Sequence, residues 1–500
     1  MESLWRKQTN ILASKSSTKH SISKHIHRDV IVVGAGMAGL LIAYYLKEQG
    51  KDVLVLEADK IASGQTERTT AKITSQHDLK YSQLIKKVGV KKARMYAQAN
   101  EAAIREYEHL IEKKNIDCGF ERVPSYLYTL QDEGVLKKEA EAAYFLGIPA
   151  FFTRETELPF SVKGAVCFQN QAQFSPLEFV RCIASELEIL EDTKVVSIRG
   201  SRVVVQDANE SKVMTADKIV VATHYPILNL PGFYFLRQHQ ERSYVLALSE
   251  CEKINGIYYG IDEGGLSFRQ AGDVLLLGGN SHRTGKNEQG GAYDFLVQEA
   301  MQYFPNSKEE TRWSAQDCMP HDGIPFIGKY SIFTPHIYVA TGFQKWGMTS
   351  AMVAAMILRD ELCEIKNPYA KVFSPQRINL YASIGNLLVD VGMSAKGLTK
   401  GLLHRPKSKA NSLSKGHGGV VTMEGQRYAC YMDENGEIHK ISARCPHMGC
   451  ELTWNPDEKS WDCPCHGSRF DIDGKLLDNP AKVCAGKNKR MDWKKNLSEN

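Results

Sequence analysis

The sequence predicts an α/β domain built on a parallel sheet, joined by a basic linker to a small all-β domain. Three observations carry this. Asp29–Glu57 reads as strand, glycine-rich turn, helix and second strand. From Gly418 onward, short strands alternate with turn sequences at Asp433–Gly436 and Asp471–Gly474. Between them, residues 376–415 hold seven basic residues against one acidic, and end in a polar stretch, Arg405–Lys415, of linker composition.

The elements follow in order. Residues 1–28 are rich in Ser, Thr and Lys, with six Lys/Arg against one acid, and are expected to form a disordered basic tail. Asp29-Val-Ile-Val-Val-Gly34-Ala-Gly36-Met-Ala-Gly39 is a buried strand running into G-x-G-x-x-G. Leu40–Gln49 is helical, Gly50 stops it, and Val53–Leu56 is a strand ending in Glu57. Framed this way, with an acid about 20 residues on, the motif specifies a Rossmann-like dinucleotide site. Gly34 allows the tight turn, Gly36 lets backbone approach the pyrophosphate, and Gly39 packs helix on strand. The helix N-terminus faces the phosphates. Glu57 accepts hydrogen bonds from ribose hydroxyls, which argues against a 2′-phosphate and hence against NADP. The motif alone does not choose between FAD and NAD.

Residues 78–115 read as helical, with Leu84, Val88, Tyr96 and Ile104 among Lys/Glu-rich stretches. Gly119–Leu130 and Phe233–Gly279 are richer in β-branched and aromatic residues at strand-like spacing. In the linker, Leu380, Ile384, Leu387, Leu388 and Val391 fall at helical spacing. They suit a helix docked on a domain surface, or one lying at a membrane interface. The shortness of the stripe and its interruption by Gly385 and Gly392 favour docking.

Composition narrows the classes. At 43% hydrophobic and 24% charged, the 500 residues describe an ordinary globular chain of about three domains or fewer. The apolar run Ala351–Leu358 falls short of the ~18 residues of a membrane helix, so no transmembrane segment is expected. The net charge of +5 is local to the tail and linker; the folded parts are slightly acidic, which argues against nucleic acid as a partner. Cysteines 118, 167, 182, 251, 318 and 363 are scattered singly, whereas 430–484 holds six. Scattered thiols favour a reducing compartment, hence a cytoplasmic location.

Two runs near the C-terminus carry the most chemistry: CPHMGC at Cys445–Cys450 and CPCHGS at Cys463–Ser468. They offer two thiolates, Cys445 and Cys463, and two imidazoles, His447 and His466. Two Cys on one iron and two His on the other is the ligand set of a Rieske 2Fe–2S centre, whose potential spans roughly −150 to +300 mV. Zinc also takes two Cys and two His, but zinc fingers pair like ligands with C-x2–4-C and H-x3–5-H spacing. Here each loop carries one of each, which suits a cluster that presents a different iron to each residue type. Pro446, Gly449, Pro464 and Gly467 supply the turns.

The loops resemble Rieske domains of the cytochrome bc type. The resemblance implies a loop-to-loop disulfide between Cys450 and Cys465, and a hydrogen bond from Ser468 to a bridging sulfide that raises the potential. High-potential members carry Tyr where this chain has Phe470, so a potential below the top of the range is expected. The Lys-rich ending after Ala481 departs from the family's closing apolar strand.

Residues 29–375 resemble the FAD-dependent D-amino-acid oxidase/glycine oxidase superfamily. The carriers are Ala62-Ser63-Gly64-Gln65-Thr66 after the second strand, Gln173-Phe-Ser-Pro-Leu177, the strand Lys218–Ala222, and Asp322-Gly-Ile-Pro-Phe-Ile-Gly328 followed by Ile337–Thr341, Gly342, Gly347 and a helix from Met348. The resemblance implies FAD held by Gly34, Gly36, Gly39, Glu57, Ser63, Gly64 and Thr66, with Gly342, Gly347 and Met348 at the flavin's pyrimidine end. A helix N-terminus there stabilises the anionic N1/C2 carbonyl of reduced flavin. It also implies a separate antiparallel substrate sheet, drawn mainly from residues 115–150 and 233–310. Residues 376–415 are then the linker and 416–500 the Rieske domain.

Together these imply an FAD-dependent oxidoreductase that takes electrons from an amine or amino acid and passes them through the cluster to a redox partner or quinone. His447 and His466 are expected at an exposed cluster tip. Cluster-to-flavin flow driving a reduction, or a redox sensor or electron-transfer protein without its own substrate, are the alternatives. For the substrate pocket, Arg242, Tyr244 and Arg269 are candidate carboxylate binders, and His282 and Lys345 candidate flavin neighbours.

Overall fold

The computed structural model describes residues 1–9, 26–207, 210–377, 413–423 and 425–486. Residues 10–25 of the tail, the apolar stripe from Leu380 to Val391 and the Lys-rich end beyond Gly486 lie outside these.

Alternation of side chains along the central strands builds two cores from one sheet. The strand Ile26–Val33 lies between Val53–Leu56 and Glu210–Val221, parallel to both, with Ile337–Thr341 and Glu188–Leu190 extending the parallel sheet on either side. Val30 and Val32 face one core with the helices Met37–Glu48 and Gly347–Leu362. Ile31 and Val33 face the other, with Val203 and Val205 of the ribbon Lys194–Arg199/Arg202–Asp207. A strand covered on both faces needs an unbroken apolar run, and Val30–Val33 and Val53–Leu56 are buried throughout.

The second sheet runs Lys308–Pro320, Gln238–Ser249, Val274–Arg283, Ser267–Ala271, Ile257–Gly260, Glu121–Thr129, Gly164–Gln173 and Lys72–Ile73. It draws on Lys72–Ile73, Gly164–Gln173 and Lys308–Pro320 besides the two segments expected. It is antiparallel except where Ile257–Gly260 joins Glu121–Thr129 in parallel. Those two strands belong to separate stretches of chain, so no hairpin dictates their sense. The helical stretch 78–115 divides into Tyr81–Val88 and Val90–Lys114 at Gly89, where φ is +80°.

The N-terminal tail departs from expectation. Leu4–Gln8 is a helical turn capped by the Ser3 hydroxyl, and Leu4 and Trp5 are buried. The Trp5 indole N–H donates to the Thr69 carbonyl (2.6 Å), and its ring lies 5.0 Å from the Arg269 guanidinium. Averaging composition over 28 residues hides two apolar anchors at one end.

The C-terminal module packs a three-stranded sheet (Gly418–Met423, Gln426–Met432, Ile438–Ser442) with a four-stranded one (Thr453–Asn455, Ser460–Asp462, Arg469–Phe470, Leu476–Asp478). Their shared core gathers Trp454, Trp461, Phe470 and four cysteines.

Candidate functional site

At the nucleotide end the glycines are required by close approach. A Cβ on Gly39 would lie 1.9 Å from the Gly34 carbonyl oxygen, and one on Gly34, whose φ is +106°, would lie 2.6 Å from that of Ala222. The helix Met37–Glu48 opens at Gly36 with no acid in its first turn and no side-chain cap on Gly36 itself. The buried Thr66 hydroxyl accepts the Met37 N–H (2.9 Å) and so braces this turn. Glu57 accepts the N–H groups of Ala35 (2.7 Å) and Asp59 (2.9 Å); burial pushes its carboxyl up against these bonds. Ser63 donates to the Lys60 carbonyl, and Gly64 precedes the short helix Gln65–Arg68. On the far side Gly342 ends the strand Ile337–Thr341, and Gly347 and Met348 open Gly347–Leu362, again without a capping side chain or an early acid. Apart from its chain neighbours and its own helix, no described atom comes within 4 Å of where a Gly347 Cβ would stand. Two helix N-termini without an acid in the first turn fit a dinucleotide that carries phosphates at one end and an anion-forming ring at the other.

At the other end the two cluster loops repeat one backbone pattern. The Cys445 N–H donates to the Cys450 carbonyl and the Gly449 N–H to that of Cys445; Cys463 pairs with Ser468 and Gly467 with Cys463 in the same way. Gly449 and Gly467 both sit at φ +81°. A Cys450–Cys465 disulfide ties the loops, with Cα atoms 6.6 Å apart. The rings of His447 and His466 meet edge-on at 4.9 Å. Burial, with His466 alongside, holds His447 down to about 3, so its imidazole is neutral. Its Nδ1 is buried and has no hydrogen-bond partner among the described residues. The Ser468 hydroxyl accepts the Ala481 N–H and lies against Cys445. Two buried cysteines and two histidines on tied loops fit an iron–sulfur cluster.

The histidines are not at an exposed tip. His466 is only 4% exposed, and both loops dock on the α/β module. His447 Nε2 lies 2.8 Å from Asn229 Oδ1. The Gln240 amide donates to the His466 carbonyl (2.7 Å) and to that of Asn479 (2.9 Å), while Gln316 donates to Gly467 (2.8 Å). A Cβ on Gly467 would come within 2.7 Å of Gln240.

This docking redefines several expected pocket residues. Arg242 is fully buried and donates to Gln316, Ser314 and Glu458, with Asp478 at 3.6 Å. It faces the C-terminal module, where Arg469 pairs with the same two acids and with Asp462. The Tyr244 hydroxyl meets His282 Nε2 (3.0 Å), Asn287 and Asn455, and His282 Nδ1 is bonded to the Arg283 carbonyl. Arg269 donates to Gln173 and to the carbonyls of Thr70 and Phe174. None of these four lines the cleft beside Lys345, and their polar groups are taken up by packing and docking contacts.

The reason lies in strand alternation. Along Gln238–Ser249, Gln238, Gln240, Arg242 and Tyr244 are buried on one face, while His239 and Glu241 point the other way into a cleft of about 410 Å³ shared with His77, Tyr259, Lys345 and Trp346. Lys345 therefore is at the cleft, its Nζ 2.7 Å from Ser281 Oγ and 3.8 Å from Glu241. Burial opposes its charge, but Tyr259, Glu241 and Asp317 hold it above the usual lysine value. Asp317, directly across the strand pair from Glu241, is pushed up to about 7 by burial. Sequence reasoning missed Asn229, Gln240, Gln316, Glu458 and Asp478: their partners lie 150 to 240 residues away for most contacts, and no short motif marks them.

Comparison with known proteins agrees with this geometry. Residues 29–361 match the model of the FAD dependent oxidoreductase family, DAO, and residues 406–489 that of the Rieske [2Fe-2S] domain. The chain is 35% identical over 494 residues to the Rieske 2Fe-2S iron-sulfur protein YhfW of Bacillus subtilis, covering 96% of each. Glycine oxidase from Geobacillus kaustophilus shares the fold with a TM-score of 0.59 at 18% identity, over 71% of this chain and 99% of that one. L-amino acid deaminase from Proteus vulgaris does so at 0.55 and 17%, over 70% and 97%. No helix among the described residues is long and apolar enough to cross a membrane. The chain belongs to the DAO family of FAD-dependent oxidoreductases and carries a C-terminal Rieske [2Fe-2S] domain that binds a 2Fe–2S cluster.

Proposed function

We propose that the chain oxidises an amine or amino acid, and that the electrons leave through the Rieske cluster to a redox partner. Bound FAD supplies hydride acceptance and the cluster supplies one-electron transfer. In this reading Cys445 and Cys463 hold one iron and His447 and His466 the other; Gly34, Gly36, Gly39, Glu57 and the segment Ser63–Thr66 cradle the nucleotide, and Gly342–Met348 the flavin's pyrimidine end.

One observation carries the proposal. A single strand, Gln238–Ser249, presents Gln240 to the cluster loop and its neighbours His239 and Glu241 to the cleft. Substrate cleft and cluster are thus the two faces of one wall. The cleft offers charges of both signs: Glu241 suits an ammonium group, and Lys345 and Lys80 suit a carboxylate. Asp317, across the strand pair from the cleft-lining Glu241 and pushed up to about 7 by burial, is suited to take the proton an ammonium must lose before hydride departure. Glycine oxidase and L-amino acid deaminase, which share the fold, bear names consistent with such substrates.

The test is an anaerobic screen of amines and amino acids. A true substrate bleaches the flavin and then produces the electron paramagnetic resonance signal of a reduced Rieske cluster. Flavin that bleaches and then reduces O2 while the cluster stays oxidised refutes the proposed route.

A further inference from the structure

The contact between Asn229 and His447 joins the two modules at a candidate iron ligand. An imidazole that gives its Nδ1 lone pair to iron keeps its hydrogen on Nε2, so at 2.8 Å Nε2 donates and Asn229 Oδ1 accepts. His447 Nδ1 has no hydrogen-bond partner among the described residues, which leaves that lone pair for a metal. Asn229 is itself fixed. Its carbonyl accepts the Phe233 N–H (3.1 Å), and the turn is anchored where the Tyr330 hydroxyl donates to the Leu228 carbonyl. The same turn carries Phe235, whose ring meets His466 edge-on at 5.9 Å. One turn of the flavin module therefore touches both histidines.

We propose that Asn229 is a positioning residue for the Rieske cluster: by accepting the Nε2–H of His447 it orients the ring, makes it a more basic ligand, and so couples the cluster's potential to its docking on the flavin module. An acceptor on the distal nitrogen of a metal-bound histidine raises ligand basicity. A more electron-rich ligand favours the oxidised cluster and lowers the potential. The neutral amide does this moderately; a carboxylate in its place does it more strongly. The inference rests on the assignment of His447 as a ligand and is independent of the substrate.

The experiment compares midpoint potentials of full-length holoprotein by titration monitored with electron paramagnetic resonance. Asn229→Leu is expected to raise the potential and Asn229→Asp to lower it, with the wild type between. Opposite shifts require an electronic coupling, because loosened packing alone would move both variants the same way. Equal potentials, or shifts of one sign, overturn the proposal. Should Asn229→Leu load no cluster, Asn229→Asp and Asn229→Gln still decide: the first must fall below wild type. His447→Ala separates the underlying reading, since a normal Rieske signal in that variant removes His447 from the ligand set.

Discussion

The loops Cys445–Cys450 and Cys463–Ser468 are near copies in backbone but not in surroundings. Each closes with the same pair of main-chain hydrogen bonds and a glycine at φ +81°. Yet His447 is held through its ring by Asn229, whereas His466 is held through its own carbonyl by Gln240. Loop geometry, which any such cluster needs, is encoded locally. How each histidine is gripped is encoded by a different module more than 200 residues away.

The largest expected effect removes the ligand difference. His466→Cys should lower the midpoint potential by several hundred mV, toward the roughly −400 mV of plant-type ferredoxins with four thiolates; an unchanged potential and spectrum would contradict the ligand assignment. Next, Cys450→Ser unties one loop from the other. With the bridged cysteines 15 positions apart, a loss of about 3 kcal/mol is expected in denaturant unfolding of the C-terminal module, and no loss would mean the bridge does not form in solution. Gln240→Leu tests the grip on the second loop. It leaves the carbonyls of His466 and Asn479 without their donor, at a cost of about 1–3 kcal/mol, and should slow electron transfer from flavin to cluster while leaving substrate bleaching of flavin intact.

The smallest effect lies behind the loops, on the cleft face. Asp317 has a folded pKa of about 7 against roughly 4 when unfolded. The folded state thus binds the extra proton between these values, and stability falls as pH rises across that window. Asp317→Asn should flatten this slope, read as melting temperature against pH; parallel curves for variant and wild type would place the titration elsewhere.

Much of this was legible in sequence because it is local. The Gly34–Gly39 turn, the strand–helix–strand frame and the four candidate cluster ligands are short patterns whose residue types the chemistry dictates. The disulfide came from resemblance, and the structure forms it. Arg242, Tyr244, Arg269 and His282 lie off the cleft beside Lys345, which was not legible because residue type does not reveal which face of a strand meets a cavity and which meets another module or, for Arg269, packs against Trp5 and Gln173. Trp5 was hidden by the polar residues around it. The exposed cluster tip was inferred from the cluster domain alone, and docking cannot be read from one partner.

The buried charges of Arg242, Glu458, Arg469, Asp462 and Asp478 set how the chain behaves when cut. Separating the modules would break the ion pairs of Arg242 with Glu458 and Asp478, together with the bonds of Asn229, Gln240 and Gln316 to the cluster loops. A chain nicked by protease between residues 378 and 412 should therefore travel as one particle through size exclusion. The covalent tether delivers the cluster domain to its seat, and the charges keep it there.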